Sequence, residues 1–218
     1  MKNARLSTWT LGSSLLIALL AMVTACSEPA APLQKLPYIG FHDVNGTDTT
    51  YHSIPSFRFV DQDSTVVGSQ ELSDYIYVSD FFYSYCPSIC PKVKNQMMRI
   101  YEKFAEEKKL KLVSFALDPE RDNVSHLHAY ANNLEVESHR WHFLTGDRDQ
   151  IWDLAEQYLI SVWEDPEEPG GIYHSGKILL IDSKGHIRAF AKGTEEEAVT
   201  AFMGQIDLLL QEVKAGQL

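Results

Sequence analysis

Apolar residues recur along this chain in two rhythms, and the changes between them outline its elements. Residues 57–60 predict a short strand leading into a polar turn. Residues 75–82 (YIYVSDFF) are nearly all β-branched, aromatic or otherwise apolar, which predicts a buried strand. From 91 to 108 the period lengthens: Val93, Met97, Ile100, Tyr101 and Phe104 fall on one face of an amphipathic helix. Residues 110–117 (LKLVSFAL) predict a second strand, 124–134 a helix, 141–144 a short strand and 150–159 another helix. Residues 177–182 (KILLID) form a strand that Ser183-Lys184-Gly185 turns into a partner at 186–190, and 195–213 close the chain as a helix. Strands alternating with helices, then a hairpin and a last helix, point to a three-layer α/β/α sandwich with a mixed central sheet.

The chain before this pattern reads differently. Lys2 and Arg5 precede an apolar run at 11–23 that is short for a membrane span, followed by Val23-Thr24-Ala25-Cys26. This is the order of a secretory signal, and its ending on Cys26 resembles a bacterial lipobox. Residues 1–25 are therefore expected to be a lipoprotein signal peptide, with Cys26 the lipidated first residue of an exported, membrane-anchored chain facing the periplasm or the cell exterior. Residues 26–53 lack sustained periodicity and read as a tether with some docked structure at its end. Fully extended, about 28 residues would span roughly 90 Å. Residues 54–218 form the folded domain.

Removing the signal leaves 193 residues (218 minus 25), with 17 basic against 30 acidic side chains, a net charge of -13. That length builds one domain with a full core. The acidity argues against a nucleic-acid partner, whose phosphates it would repel, and suits a basic patch or a cation.

With Cys26 assigned to lipid, Cys86 and Cys90 remain as a close pair. In an oxidising compartment such a pair serves as a disulfide, a redox couple or a metal site. The pair lies where the strand at 75–82 gives way to the helix opened by Pro91, a place where reactive groups gather in α/β sheets. Free N–H groups and the helix dipole lower a thiol pKa there, and the thiolate is what attacks disulfides or binds metal. Three residues separate the cysteines, against two in a thioredoxin-like redox motif. The five-residue ring that a disulfide would close removes little chain entropy, which weakens a purely structural role. Two thiolates leave a metal site incomplete: with an imidazole they suit copper, or zinc with a fourth ligand.

Of eight histidines, His42 and His52 fall in the tether region, His126 and His128 in a polar helix, His139 and His142 at a strand start with surface character, and His186 beside a turn. His174 lies in the loop PGGIYHSG before a strongly apolar strand, where a thioredoxin-type sheet would bring it near the cysteine loop. The residues alone leave it open between a ligand and a loop histidine.

The stretch FFYSYCPSICP resembles the C-x-x-x-C-P signature of the Sco (SenC) proteins. LDPERD at 117–122, WHFLTG at 141–146 and Tyr173-His174-Ser175 leading into KILLIDSKGHIRAF resemble further blocks of that family, in order, over roughly residues 54–215. The resemblance implies a thioredoxin-like domain binding copper, Cu(I) or Cu(II), through Cys86, Cys90 and His174. It also implies a role in building the dinuclear copper centre of cytochrome c oxidase subunit II. In the family this resembles, an acidic residue commonly stands directly before the histidine; here it is Tyr173, so an orienting carboxylate is absent or comes from elsewhere, for example Asp118 or Glu120, although Asp118, Glu120 and Arg121 read better as a structural loop. A thiol-disulfide reductase acting on an exported partner uses the same cysteines. A thiol peroxidase needs Thr or Ser three residues before its cysteine, where Tyr83 stands.

Overall fold

The computed structural model describes residues 35–218; the expected signal peptide and the expected lipidation site, Cys26, lie outside the described residues. The chain enters through an exposed hairpin, β1 (His42–Asn45) and β2 (Asp48–Tyr51). A second hairpin, β3 (Arg58–Val60) and β4 (Val66–Gly68), leads into the single turn α1 (Ser69–Leu72). Then follow β5 (Ile76–Phe82), α2 (Cys90–Lys103), β6 (Leu110–Ala116), α3 (Val124–Asn133), β7 (Trp141–Leu144) and α4 (Arg148–Gln157). The chain ends with β8 (Val162–Glu164), β9 (Ile172–His174), β10 (Lys177–Ile181), β11 (Ile187–Lys192) and α5 (Glu196–Lys214).

Five strands form one sheet in the order β11-β10-β5-β6-β7. The neighbours β5, β6 and β7 run parallel because a helix carries each crossover, whereas the tight turn at Gly185 makes β10 and β11 antiparallel. The sheet is thus mixed, as expected. Every residue of β5 is buried, which explains its unalternating apolar sequence. Its two sets of side chains meet different layers. Phe82 packs on Tyr130 of α3 and on Phe143, while Phe81 stacks on Phe115 and meets Tyr158 at the end of α4. Helix α2 lies on the α3 side, where Tyr101 touches Trp141, and α5 is tied to α2 by Arg99–Thr200 and Lys103–Asp207 bonds.

Several expectations need correction. Helix α2 stops at Lys103: its apolar face ends at Phe104, and the following EEKK run has nothing to bury. Helix α4 starts at Arg148 because the Asp147 carboxylate caps it, accepting from Gln150 N–H. His142, read as a surface residue, is buried and its Nδ1 pairs with Asp61 at 3.0 Å. The reason is that the segment after β3 covers β7: Gln62 Nε2 donates to Trp141 O, Gln62 Oε1 accepts from Phe143 N–H, and Val60 bridges Thr145. His174 lies on a strand, β9, not in a loop.

The segment read as a tether docks as far back as Leu36. Its N–H donates to Glu212 Oε1 at 2.8 Å, and Arg188 Nη2 donates to Leu36 O at 2.7 Å. Arg188, 1 % exposed, also pairs with Asp182 and Glu212 at 3.1 and 2.9 Å. Residues 27–35 then separate Cys26 from Leu36, a reach of at most about 35 Å.

Candidate metal centre

The buried end of β5 delivers the chain into the loop that carries Cys86, and Cys90 opens α2 with Pro91 behind it. The residue before the helix, Ile89, has no side chain able to cap it. The Cys86 sulfur takes that place, accepting from Cys90 N–H at 3.4 Å. From the other side, the β8–β9 hairpin sets His174 against the pair, with Nε2 at 3.2 Å from Cys90 Sγ. Both cysteines are free thiols, and the three donor atoms lie within 4.8 Å of one another. No other cluster of metal-ligand type exists among the described residues. The structure therefore brings together the three residues singled out from the sequence, and leaves the other histidines elsewhere.

The thiols are unequal. The hydrogen bond with Cys90 pulls the Cys86 thiol far below its usual range against the opposing effect of burial, and bonds to His174 and Ser88 add to the pull. The same partnership, together with burial, drives Cys90 up. Cys86 is the thiolate of the pair, poised as nucleophile or ligand.

Tyr83 shapes the roof. Its ring meets the His174 ring edge-on at 5.9 Å. Its hydroxyl is 3.2 Å from both Pro169 O and Ile172 O, which pins the β8–β9 hairpin over the cysteine loop. Asp122 fixes the loop from below, accepting from the N–H and hydroxyl of Ser84; His126 Nε2 lies 2.9 Å from the same hydroxyl. Asp122→Ala removes the acceptor for a partly buried N–H and lets the loop shift. We expect a stability loss of about 1–3 kcal/mol and, as for other partners that orient ligands, about 10–100-fold weaker metal binding. Urea unfolding and metal titration of the variant measure both; retained affinity would exclude a positioning role for Asp122.

Asp118 pairs with Arg121 at 3.6 Å. Of the two roles open to the Asp118–Arg121 segment, orienting the histidine or forming a structural loop, the ion pair fits the loop. Tyr173 points away from the site and stacks on Trp163 at 3.8 Å. His174 Nδ1 is buried without a protein partner, so its ring is held by packing and by Cys90. Sequence reasoning also missed Asp80, although a lone acid inside the run YIYVSDFF is a legible signal of a buried charge. Asp80 sits beneath the pair, accepting from Ser114 Oγ, which in turn accepts from Trp141 Nε1.

Burial raises the Asp80 carboxyl from 3.8 to about 6. Below pH 3.8 it is protonated in both folded and unfolded chains and costs nothing. As pH rises, the unfolded chain loses its proton first, so folded stability falls until about pH 6, by about 3 kcal/mol in all. Asp80→Asn removes that dependence. The stability of the variant relative to the parent should rise by about 3 kcal/mol between pH 3.8 and 7, read from denaturant midpoints. A pH-independent difference would contradict the assignment.

The donor set fits a soft or borderline ion. Two ligands at about 2.0–2.3 Å from a shared ion stand up to about 4.6 Å apart, close to the span seen here. Two sulfurs and an imidazole nitrogen suit copper or zinc, not magnesium or calcium.

Known proteins share this arrangement of sequence and fold. The SCO1/SenC family pattern matches residues 45–205. The chain is 27 % identical over 150 residues to a SCO1 protein homolog of Bacillus subtilis, covering 68 % of this chain and 78 % of that one. A SCO1/SenC family lipoprotein of Bacillus anthracis superposes with a TM-score of 0.65 at 23 % identity, covering 71 % of this chain and 93 % of its own. The copper-bound structure of Arabidopsis thaliana ScoI superposes with a TM-score of 0.60 at 21 % identity, covering 72 % and 98 %. With the family pattern spanning most of its length and its fold shared with solved Sco structures, this chain belongs to the SCO1/SenC family.

Proposed function

We propose that this chain is an exported, lipid-anchored copper-binding protein that delivers copper to, or prepares, the dinuclear copper site of cytochrome c oxidase. The observation that carries the reading is the closed cluster of Cys86, Cys90 and His174, two soft sulfurs and one imidazole held by three separate elements. The Arabidopsis relative, solved with copper bound, and BsSco, described as a member of the Sco family of cytochrome c oxidase assembly proteins, support it. Transfer would proceed by exchange of ligands, with recipient cysteines replacing Cys86, Cys90 and His174 in turn. Deleting the chain should leave the oxidase short of copper when copper is scarce. A deletion strain with normal oxidase copper under limitation would overturn the delivery role.

One observation favours a second reading. The thiolate character of Cys86 beside the protonated Cys90 is the arrangement of a dithiol reductase. Cys86 would attack a partner's disulfide, forming a mixed disulfide and releasing one partner thiolate. Cys90, losing its proton, would then displace the second, leaving a Cys86–Cys90 disulfide and a reduced partner. The oxidised pair would need an external thiol reductant to turn over. On this reading Cys86→Ser abolishes activity and His174→Ala spares it. Equal loss from both substitutions assigns the function to the metal.

A further inference from the structure

The Cys86–x–x–x–Cys90 loop carries a second polar contact besides the thiols. Ser88 Oγ lies 3.5 Å from Cys86 Sγ and donates to Glu168 Oε1 at 3.2 Å. Glu168 comes from the β8–β9 loop, is half-buried, and reaches the cysteine loop across 80 residues of sequence. The two contacts place its carboxylate at most about 7 Å from the Cys86 sulfur, a distance at which a charge still acts in a partly buried site. Glu167 beside it is exposed, with its N–H turned to Asp165. Asp80 faces Cys90 from the sheet side with its oxygen held by Ser114, and Asp122 is tied to Ser84.

On the copper reading above, the ion meets two thiolates. A monovalent ion then leaves the cluster with one net negative charge, and a divalent ion leaves it neutral. An added carboxylate repels the first state and is tolerated by the second. We propose that Glu168, held against the cysteine loop by Ser88, sets the oxidation-state preference of this site in favour of divalent copper. It is a specificity-determining residue that acts by its charge.

The test compares the full chain, in detergent and reduced, with Glu168→Gln, Glu168→Asp and Glu167→Gln. Affinities for Cu(I) and Cu(II) are measured separately by competition with chelators, and the one-electron potential of the loaded protein is recorded. Glu168→Gln should lower the Cu(II)-to-Cu(I) affinity ratio about tenfold, raising the potential by about 59 mV. Glu168→Asp should restore most of the ratio, and Glu167→Gln should leave it at the parent value. An unchanged ratio in Glu168→Gln, with copper still bound, overturns the assignment to Glu168 alone. Equal shifts in the Gln and Asp variants also overturn it, because the effect then follows the side chain's shape and not its charge. A parent chain that binds neither ion overturns the copper reading and this assignment with it.

Discussion

Arg188→Ala is expected to destabilise the folded chain by about 3–5 kcal/mol, the cost of removing one partner from a buried ion cluster. The guanidinium is, among the described residues, the one cation paired with Asp182 and Glu212, both buried, and the substitution leaves two carboxylates in the core with backbone donors but no countercharge. It also removes the donors to Leu36 O and Pro37 O, so the N-terminal segment loses its fastening. For a body of this size the melting temperature should fall by about 6–20 °C. Protease nicking near residues 36–41 should appear well below the global transition, because the fastening fails before the sheet does. A loss under about 1 kcal/mol would mean that the pair is compensated elsewhere, and would remove the grounds for calling residues 36–39 part of the folded body.

His174→Ala is expected to weaken copper binding by at least about 100-fold, since losing a partner that merely orients a ligand already costs about 10–100-fold. The same substitution should leave stability within about 2 kcal/mol of the parent. His174 donates no hydrogen bond from Nδ1 that the change would orphan, and Tyr83 holds the hairpin independently through Pro169 O and Ile172 O. Large loss of metal with small loss of stability is the signature of a ligand. A competition titration against a chelator, run beside thermal unfolding, separates the two. Comparable damage to both quantities would make His174 a core residue first and a ligand second.

The sequence disclosed the sheet better than the site's surroundings, for a physical reason. Strands such as β5 and β10 are buried on both faces, so their apolar runs have a single reading. Helix α2 announces itself through its period and through Pro91. By contrast β8 and β9 have three residues each and little apolar pattern, and their pairing depends on Tyr83 reaching across from another element. The cysteine pair was legible from spacing. His174 was set apart by the apolar strand that follows it, but only the family resemblance decided between a ligand and an ordinary histidine. Asp122, Ser84, Ser88 and Glu168 act through contacts between segments far apart in the chain, which no local pattern records. His142 was misread for the same reason: its cover comes from Asp61 and Gln62, eighty residues earlier.

On the function proposed above, Cys86, Cys90 and His174 together hold one copper ion. X-ray absorption at the copper edge, on the reduced full chain loaded with one equivalent of Cu(I), reads those donors directly. Two sulfur neighbours and one imidazole nitrogen are expected, with one sulfur lost in Cys86→Ser and the imidazole scattering lost in His174→Ala. Copper surrounded by nitrogen and oxygen alone, or a parent chain that retains none after exchange into chelator-free buffer, would contradict it.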